Sequence, residues 1–177
     1  VIFNSCPVVR DLIETGFPQL KKHLCRLPTP MVLHARRLKQ AYPGSKLVFI
    51  GPCVAKKWEQ KRFYPDSPVD LVLTFREIRS LLKKQGLEIG AQKDSEFLSE
   101  PLAWTRTGVL VYFRSSIRNV EDFFKNWENE QLIPNGIELL ACEGGCLNGP
   151  GITIDLPLEE RVKTLENKIL EVSKWEK

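Results

Sequence analysis

The chain has 177 residues, 42% of them apolar, with 26 basic and 22 acidic side chains and a formal net charge of +4. That length suits one domain or two small ones, and the apolar share, though somewhat low, is enough for a buried core. The mild, interleaved charge argues against a nucleic-acid surface, and no apolar run reaches the length of a membrane span.

The first residues, Val1-Ile2-Phe3, include no initiator Met and no basic leader, and they lie inside an apolar run. We therefore expect a single domain over residues 1–177 that is a piece of a longer chain. The apolar run 1–5 predicts a buried strand with Cys6 just past its end. Pro7 opens a helix with Val8, Val9, Leu12 and Ile13 as its apolar stripe, stopped by Gly16 and Pro18. Residues 18–24 form a short turn carrying His23, followed by Cys25. Thr29 or Pro30 starts a second helix, with Met31, Leu33, Ala35 and Leu38 inward, ending at Tyr42-Pro43-Gly44.

Residues 46–51 give the clearest strand, apolar on both faces as in a covered parallel sheet, and it runs into Gly51-Pro52-Cys53. Helices are predicted over 54–62, 77–85, 120–127 and 158–175, and strands over 69–74, 109–113 and 137–141. Residues 90–100 are polar and predicted as loop. Alternating strands and helices make this an α/β chain with a mostly parallel sheet and flanking helices.

Five cysteines is an odd, widely spaced set, unlike a secreted disulfide framework, and points to free thiols in a reducing cytoplasm. Cys6, Cys53 and Cys142 each follow a predicted strand. In a parallel sheet the carboxyl ends of the strands share one edge, where ligands bind. Cys146 joins them through the loop Cys142-Glu143-Gly144-Gly145-Cys146, whose glycines let the backbone wrap an anion or metal. Zinc usually takes two close ligand pairs, whereas four dispersed thiolates better suit a [4Fe-4S] cluster. The alternative is four small buried apolar side chains.

Three segments then carry a family resemblance: Asn4-Ser5-Cys6-Pro7, Gly51-Pro52-Cys53-Val54-Ala55-Lys56-Lys57-Trp58-Glu59, and residues 138–149 around the last cysteine pair. In order and content they resemble the signatures of the catalytic domain of [FeFe]-hydrogenases. The likeness covers most of residues 1–86 and 137–151. It implies that Cys6, Cys53, Cys142 and Cys146 hold a [4Fe-4S] cluster, with Cys146 bridging to a di-iron unit carrying CO, cyanide and a dithiolate. It further implies Ser5, Cys25, Lys56 and Glu59 as catalytic side chains, and Thr29, Pro52 and Lys56 as cofactor contacts. The implied activity is reversible hydrogen oxidation, with H2 and protons as substrates and a ferredoxin-like carrier or fused redox or sensory domains as partners.

The departures from that pattern concern proton delivery. The family's cysteine before the first ligand is Ser5 here, and its relay serine aligns with Cys25. A hydroxyl is a far weaker acid than a thiol. Gly51 and Leu140 replace methionines near the di-iron unit, and residues 111–116 replace a glycine-rich segment. The N-terminal lobe of the family has no counterpart in these residues. Three roles follow: a slow or sensory hydrogenase-like domain, a [4Fe-4S] protein for electron transfer, assembly or sensing without hydrogenase activity, or an α/β domain with inert thiols.

Overall fold

The computed structural model describes residues 1–87, 111–129 and 135–173. The polar stretch 90–100 lies outside them. Pro7 sits at the first turn of helix α1 (Pro7–Gly16), where its missing N–H is no loss. Val9 and Ile13 are buried, but Val8 is 39% exposed, so the inner stripe is narrower than predicted. A 3-10 turn (Pro18–His23) leads to helix α2 (Pro30–Ala41). Its inner face is Met31, Val32 and Ala35; Leu33, expected inside, is exposed. The chain covers one side of this helix, and i to i+1 shifts are invisible in a run of apolar residues.

Strand β1 (Val48–Gly51) pairs in parallel with β2 (Leu71–Thr74), and helix α3 (Lys56–Phe63) lies between them in sequence. Thr74 and Glu77 form a reciprocal capping box that starts helix α4 (Phe75–Lys84). Strand β3 (Val111–Ser115) pairs in parallel with β4 (Gly136–Leu140), and helix α5 (Ile117–Lys125) follows β3. Helix α6 (Leu158–Ser173) ends the described residues.

The α/β class with parallel strands and flanking helices is as expected, but the strands form two two-stranded sheets among the described residues. The predicted strand 1–5 reduces to one bridging residue. Ile2 pairs in parallel with both Leu24 and Ile137, extending the β3–β4 sheet. The expected cover on both faces of β1 is not seen: Val48 and Ile50 are exposed.

Each sheet has its own core. Ile2, Val9, Ile13, Val120, Phe123, Phe124, Ile137 and Leu139 pack on the β3–β4 side, joining the first and last thirds of the chain. Met31, Val32, Ala35, Val69 and Val72 pack on the β1–β2 side. The carboxyl ends of β1 and β4 run into the cysteine loops.

Candidate metal centre

The four signature cysteines arrive by different local routes. Cys6 is the extended N-cap of α1. Cys53 follows the Gly51-Pro52 end of β1. Cys142 lies two residues past β4, and Cys146 sits in a 3-10 turn (Gly145–Asn148). All four line one cavity, whose other walls are Ser5, Pro7, Val8, Pro52, Lys56, Leu140, Ala141 and Gly149. The thiols are free. Among the described residues no three His, Cys, Asp or Glu side chains are arranged for a single metal ion. Four soft sulfur donors around a shared cavity, not closed on one point, fit a polynuclear iron–sulfur group better than zinc.

Glycine holds the loops in place. Gly144 and Gly145 both have φ of +71°, a conformation other residues adopt only with strain. Further along, the Gly151 N–H donates to the Pro52 carbonyl at 2.9 Å, and the Gly151 carbonyl accepts from Arg76 N–H at 2.9 Å. A Cβ on Gly149 would lie 2.6 Å from the Pro52 carbonyl oxygen. The loops carrying Cys53 and Cys146 are thus docked backbone to backbone. Ser116, at φ +79°, donates its N–H to the Cys142 carbonyl at 3.1 Å. Arg161 of α6 clamps the same region, donating to the carbonyls of Leu147 (3.0 Å), Ile154 (2.9 Å) and Leu156 (2.7 Å).

The electrostatics favour the neutral thiol at Cys142 and Cys146 in the absence of a cation. Cys146 is at the exposed rim, yet desolvation by the surrounding protein, then repulsion from Cys53, Cys6 and Cys142, pushes its thiol up to about 11, with Lys56 opposing. Desolvation also raises Cys142. A bound cationic metal reverses that balance, because it favours the thiolates.

Lys56 is 9% exposed, not the solvated helix lysine that its position suggests. Its Nζ donates to the Ser5 carbonyl at 2.9 Å and lies 2.7 Å from Glu59 Oε2. Glu59 is fully buried behind it. The ion pair is close in distance, but its angles are poor for a hydrogen bond, so both Glu59 oxygens retain unspent accepting capacity. Thr29 is the N-cap of α2 without capping it. Its buried Oγ1 has no hydrogen-bond partner among the described residues, and it is not part of the cavity wall.

Cys25 does not join the other four. It lines a separate surface hollow with Asn4, Arg10, Glu14, Lys21 and Tyr64. That hollow is the roomier of the two, but it has one thiol and no convergence of signature residues. Asn4 Nδ2 ties its wall, donating to the Cys25 carbonyl at 3.2 Å. The Ser5 Oγ instead donates to Glu138 Oε2 at 3.3 Å. Glu138 and Arg161 were not singled out from the sequence. A lone carboxylate inside the apolar run 137–141 is a signal for the first; nothing local marks the second.

The family model described as "Iron only hydrogenase large subunit, C-terminal domain" matches residues 1–111. Iron hydrogenase 1 of Clostridium pasteurianum is 23% identical, over 84% of this chain and 37% of that protein. The cytosolic Fe-S cluster assembly factor NAR1 of Encephalitozoon cuniculi is also 23% identical, over 97% of this chain and 55% of that protein. An [FeFe]-hydrogenase HydA1 variant from Chlamydomonas reinhardtii superposes with a TM-score of 0.71 at 15% identity, covering 92% of this chain and 64% of that one. The chain therefore spans only about a third to a half of the length of these two curated relatives. No helix among the described residues is long and apolar enough to cross a membrane. With its first 111 residues matched by the family model and its fold shared with solved [FeFe]-hydrogenases, the chain belongs to the family formed by the C-terminal domain of the iron-only hydrogenase large subunit.

Proposed function

We propose that this chain is a hydrogenase-like iron–sulfur domain in which Cys6, Cys53, Cys142 and Cys146 hold a [4Fe-4S] cluster, and that Cys146 bridges to a di-iron unit. The supporting observation is that four thiols from three distant segments line one cavity. When bound, such a cofactor would relay electrons from the redox partner and would offer a metal position for the interconversion of two protons and two electrons with hydrogen.

The chain's own residues set the conditions. The thiolates anchor the group, and Pro7, Pro52, Leu140 and Ala141 keep water from its apolar side. Lys56 presents a cation at the cavity wall, held there by Glu59 and the Ser5 carbonyl, where it can meet an anionic ligand. Pro52 positions the Cys53 turn, whereas Thr29, the dithiolate contact that the resemblance implies, keeps a buried hydroxyl outside the cavity wall, unpartnered among the described residues. Cys25 lies outside the cavity, on the wall of the separate hollow. The protein exchanges electrons with a ferredoxin-like carrier or a fused redox or sensory domain, and its free thiols suit a reducing compartment such as the cytoplasm.

The test is an iron count with infrared spectra on protein reconstituted and matured with the di-iron precursor. About four cubane irons per chain, lost in Cys53→Ala, together with CO and cyanide stretching bands, are expected. One zinc per chain refutes the proposal. A second reading keeps only the cubane, with no hydrogenase activity. Ser5 in the relay position favours it, as does the likeness to an Fe-S cluster assembly factor over 97% of this chain. A cubane without CO and cyanide bands selects it.

A further inference from the structure

We propose that Glu138 is the proton-exchanging group of the thiol-lined cavity, acting through the Ser5 hydroxyl. The inference rests on the cluster reading above. Ser5 and Glu138 are 133 residues apart, yet Ser5 Oγ donates to Glu138 Oε2 at 3.3 Å. Ser5 belongs to the cavity wall, and so does Leu140, which shares a face of β4 with Glu138. The opposite face of β4, Ile137 and Leu139, is sealed in the core. On the neighbouring strand the register partner of Glu138 is Phe113, which is 54% exposed. The carboxyl therefore sits half-buried between an exposed edge of the sheet and a hydroxyl on the cavity wall.

The surroundings favour the protonated carboxyl more than water does. Burial raises the Glu138 carboxyl above its ordinary range, and the Ser5 hydrogen bond and the charge of Lys56 on α3 oppose this. Lys56 is the charged group facing it from α3, but its Nζ is closely paired with Glu59. Phe113 offers no charge from β3.

The step balances as a proton transfer from solvent water to a base in the cavity, with no change of oxidation state in the protein. With the Ser5 hydroxyl turned to accept, neutral Glu138 passes its proton to Ser5 Oγ as Ser5 gives its own proton to a base in the cavity. The Glu138 carboxylate then takes a proton from water at the Phe113 edge, and the pair returns to its starting state. A serine hydroxyl is too weak an acid to start this alone; with a carboxylic acid behind it, it needs only to conduct.

The experiment follows the midpoint potential of the reconstituted cluster against pH by EPR-monitored redox titration. In the unmodified protein the potential falls as pH rises. Glu138→Gln, with iron content and EPR spectrum intact, loses that dependence, and Glu138→Asp restores part of it. Ser5→Ala, which keeps the carboxyl but removes the conductor, slows proton uptake after flash reduction at least tenfold. An unchanged pH dependence in Glu138→Gln with a normal cluster overturns the inference and leaves the cluster reading standing. Failure of the unmodified protein to bind a cluster overturns both. A pH-difference infrared spectrum gives a readout free of the metal: the carboxylic-acid band of Glu138 disappears in Glu138→Gln and its titration moves upward in Ser5→Ala. A band that Glu138→Gln leaves intact counts against the assignment.

Discussion

A methyl group added at Gly149 tests whether the docked loops set the cavity. The backbone there has φ of −65°, which any residue adopts, so Gly149→Ala introduces no conformational strain of its own. The new Cβ would stand 2.6 Å from the Pro52 carbonyl oxygen and 3.1 Å from that of Cys146. Both are backbone atoms that no rotamer change can move. Ordinary contact begins near 3.4 Å, so the Pro52 and Cys146 loops must separate by about 0.8 Å. Overpacking of this kind costs about 1–3 kcal/mol, or roughly 2–12 °C in melting temperature for a domain of this size. Because those loops carry Cys53 and Cys146, iron retained after reconstitution falls with the stability. Gly151→Ala presses on the same Pro52 oxygen, so the double variant costs less than the sum of the two. Gly44→Ala is the control: nothing lies within 4 Å, φ is +82°, and the cost, about 1 kcal/mol of backbone strain, leaves iron binding alone. Calorimetry and iron assays together decide the point. A Gly149→Ala protein that melts within about 1 °C of the parent, by the same scaling, and holds full iron refutes the docking argument.

Three further outcomes follow from the geometry. Lys56→Met leaves Glu59 buried without its cation and costs about 3–5 kcal/mol in urea unfolding, most of it recovered when Glu59→Gln is added. Arg161→Gln breaks the clamp on residues 147–156 and costs about 1–3 kcal/mol; hydrogen exchange speeds up over that stretch, and Arg161→Lys does not rescue it because the fork is lost. Glu77 is held at about 2, below its ordinary 4.5, by hydrogen bonds from Lys57 and from Thr74. A depressed carboxylate adds stability that is complete above its unfolded pKa and is lost as pH falls through its folded one, so melts taken from pH 4.5 down to about 2 decline, and Glu77→Gln flattens that decline.

Much of the framework around the candidate site was legible because it is built from local grammar. Pro7 after Cys6 marks a helix start and Gly51-Pro52 marks the end of a strand, each a short-range rule obeyed in place, whereas the capping box of Thr74 and Glu77 starts α4 two residues before the expected 77. What was not legible is long-range. Strands of four or five residues carry no sign of which sheet they join, so two sheets looked like one. Lys56 reads as a surface lysine until Glu59 and the Ser5 carbonyl are seen to enclose it. Cys25 aligns with the family's relay serine, yet Asn4 holds its loop on the wall of a separate hollow. Val32 and Leu33 differ only in which way α2 is turned, a choice made by the core and not by the helix.

The order of the thiols along the chain has a consequence for how the protein is made. Cys6 leaves the ribosome well over a hundred residues before Cys142 and Cys146, with Arg161 later still. The core beside Cys6 likewise waits for Val120, Phe123 and Leu139. Domains fold as units during synthesis, but here neither the core nor the thiol ring can close until translation of this stretch is nearly over. On the cluster reading, iron can be delivered to the full ring only after Cys146 has emerged, and Cys6 must stay reduced and unclaimed throughout that wait.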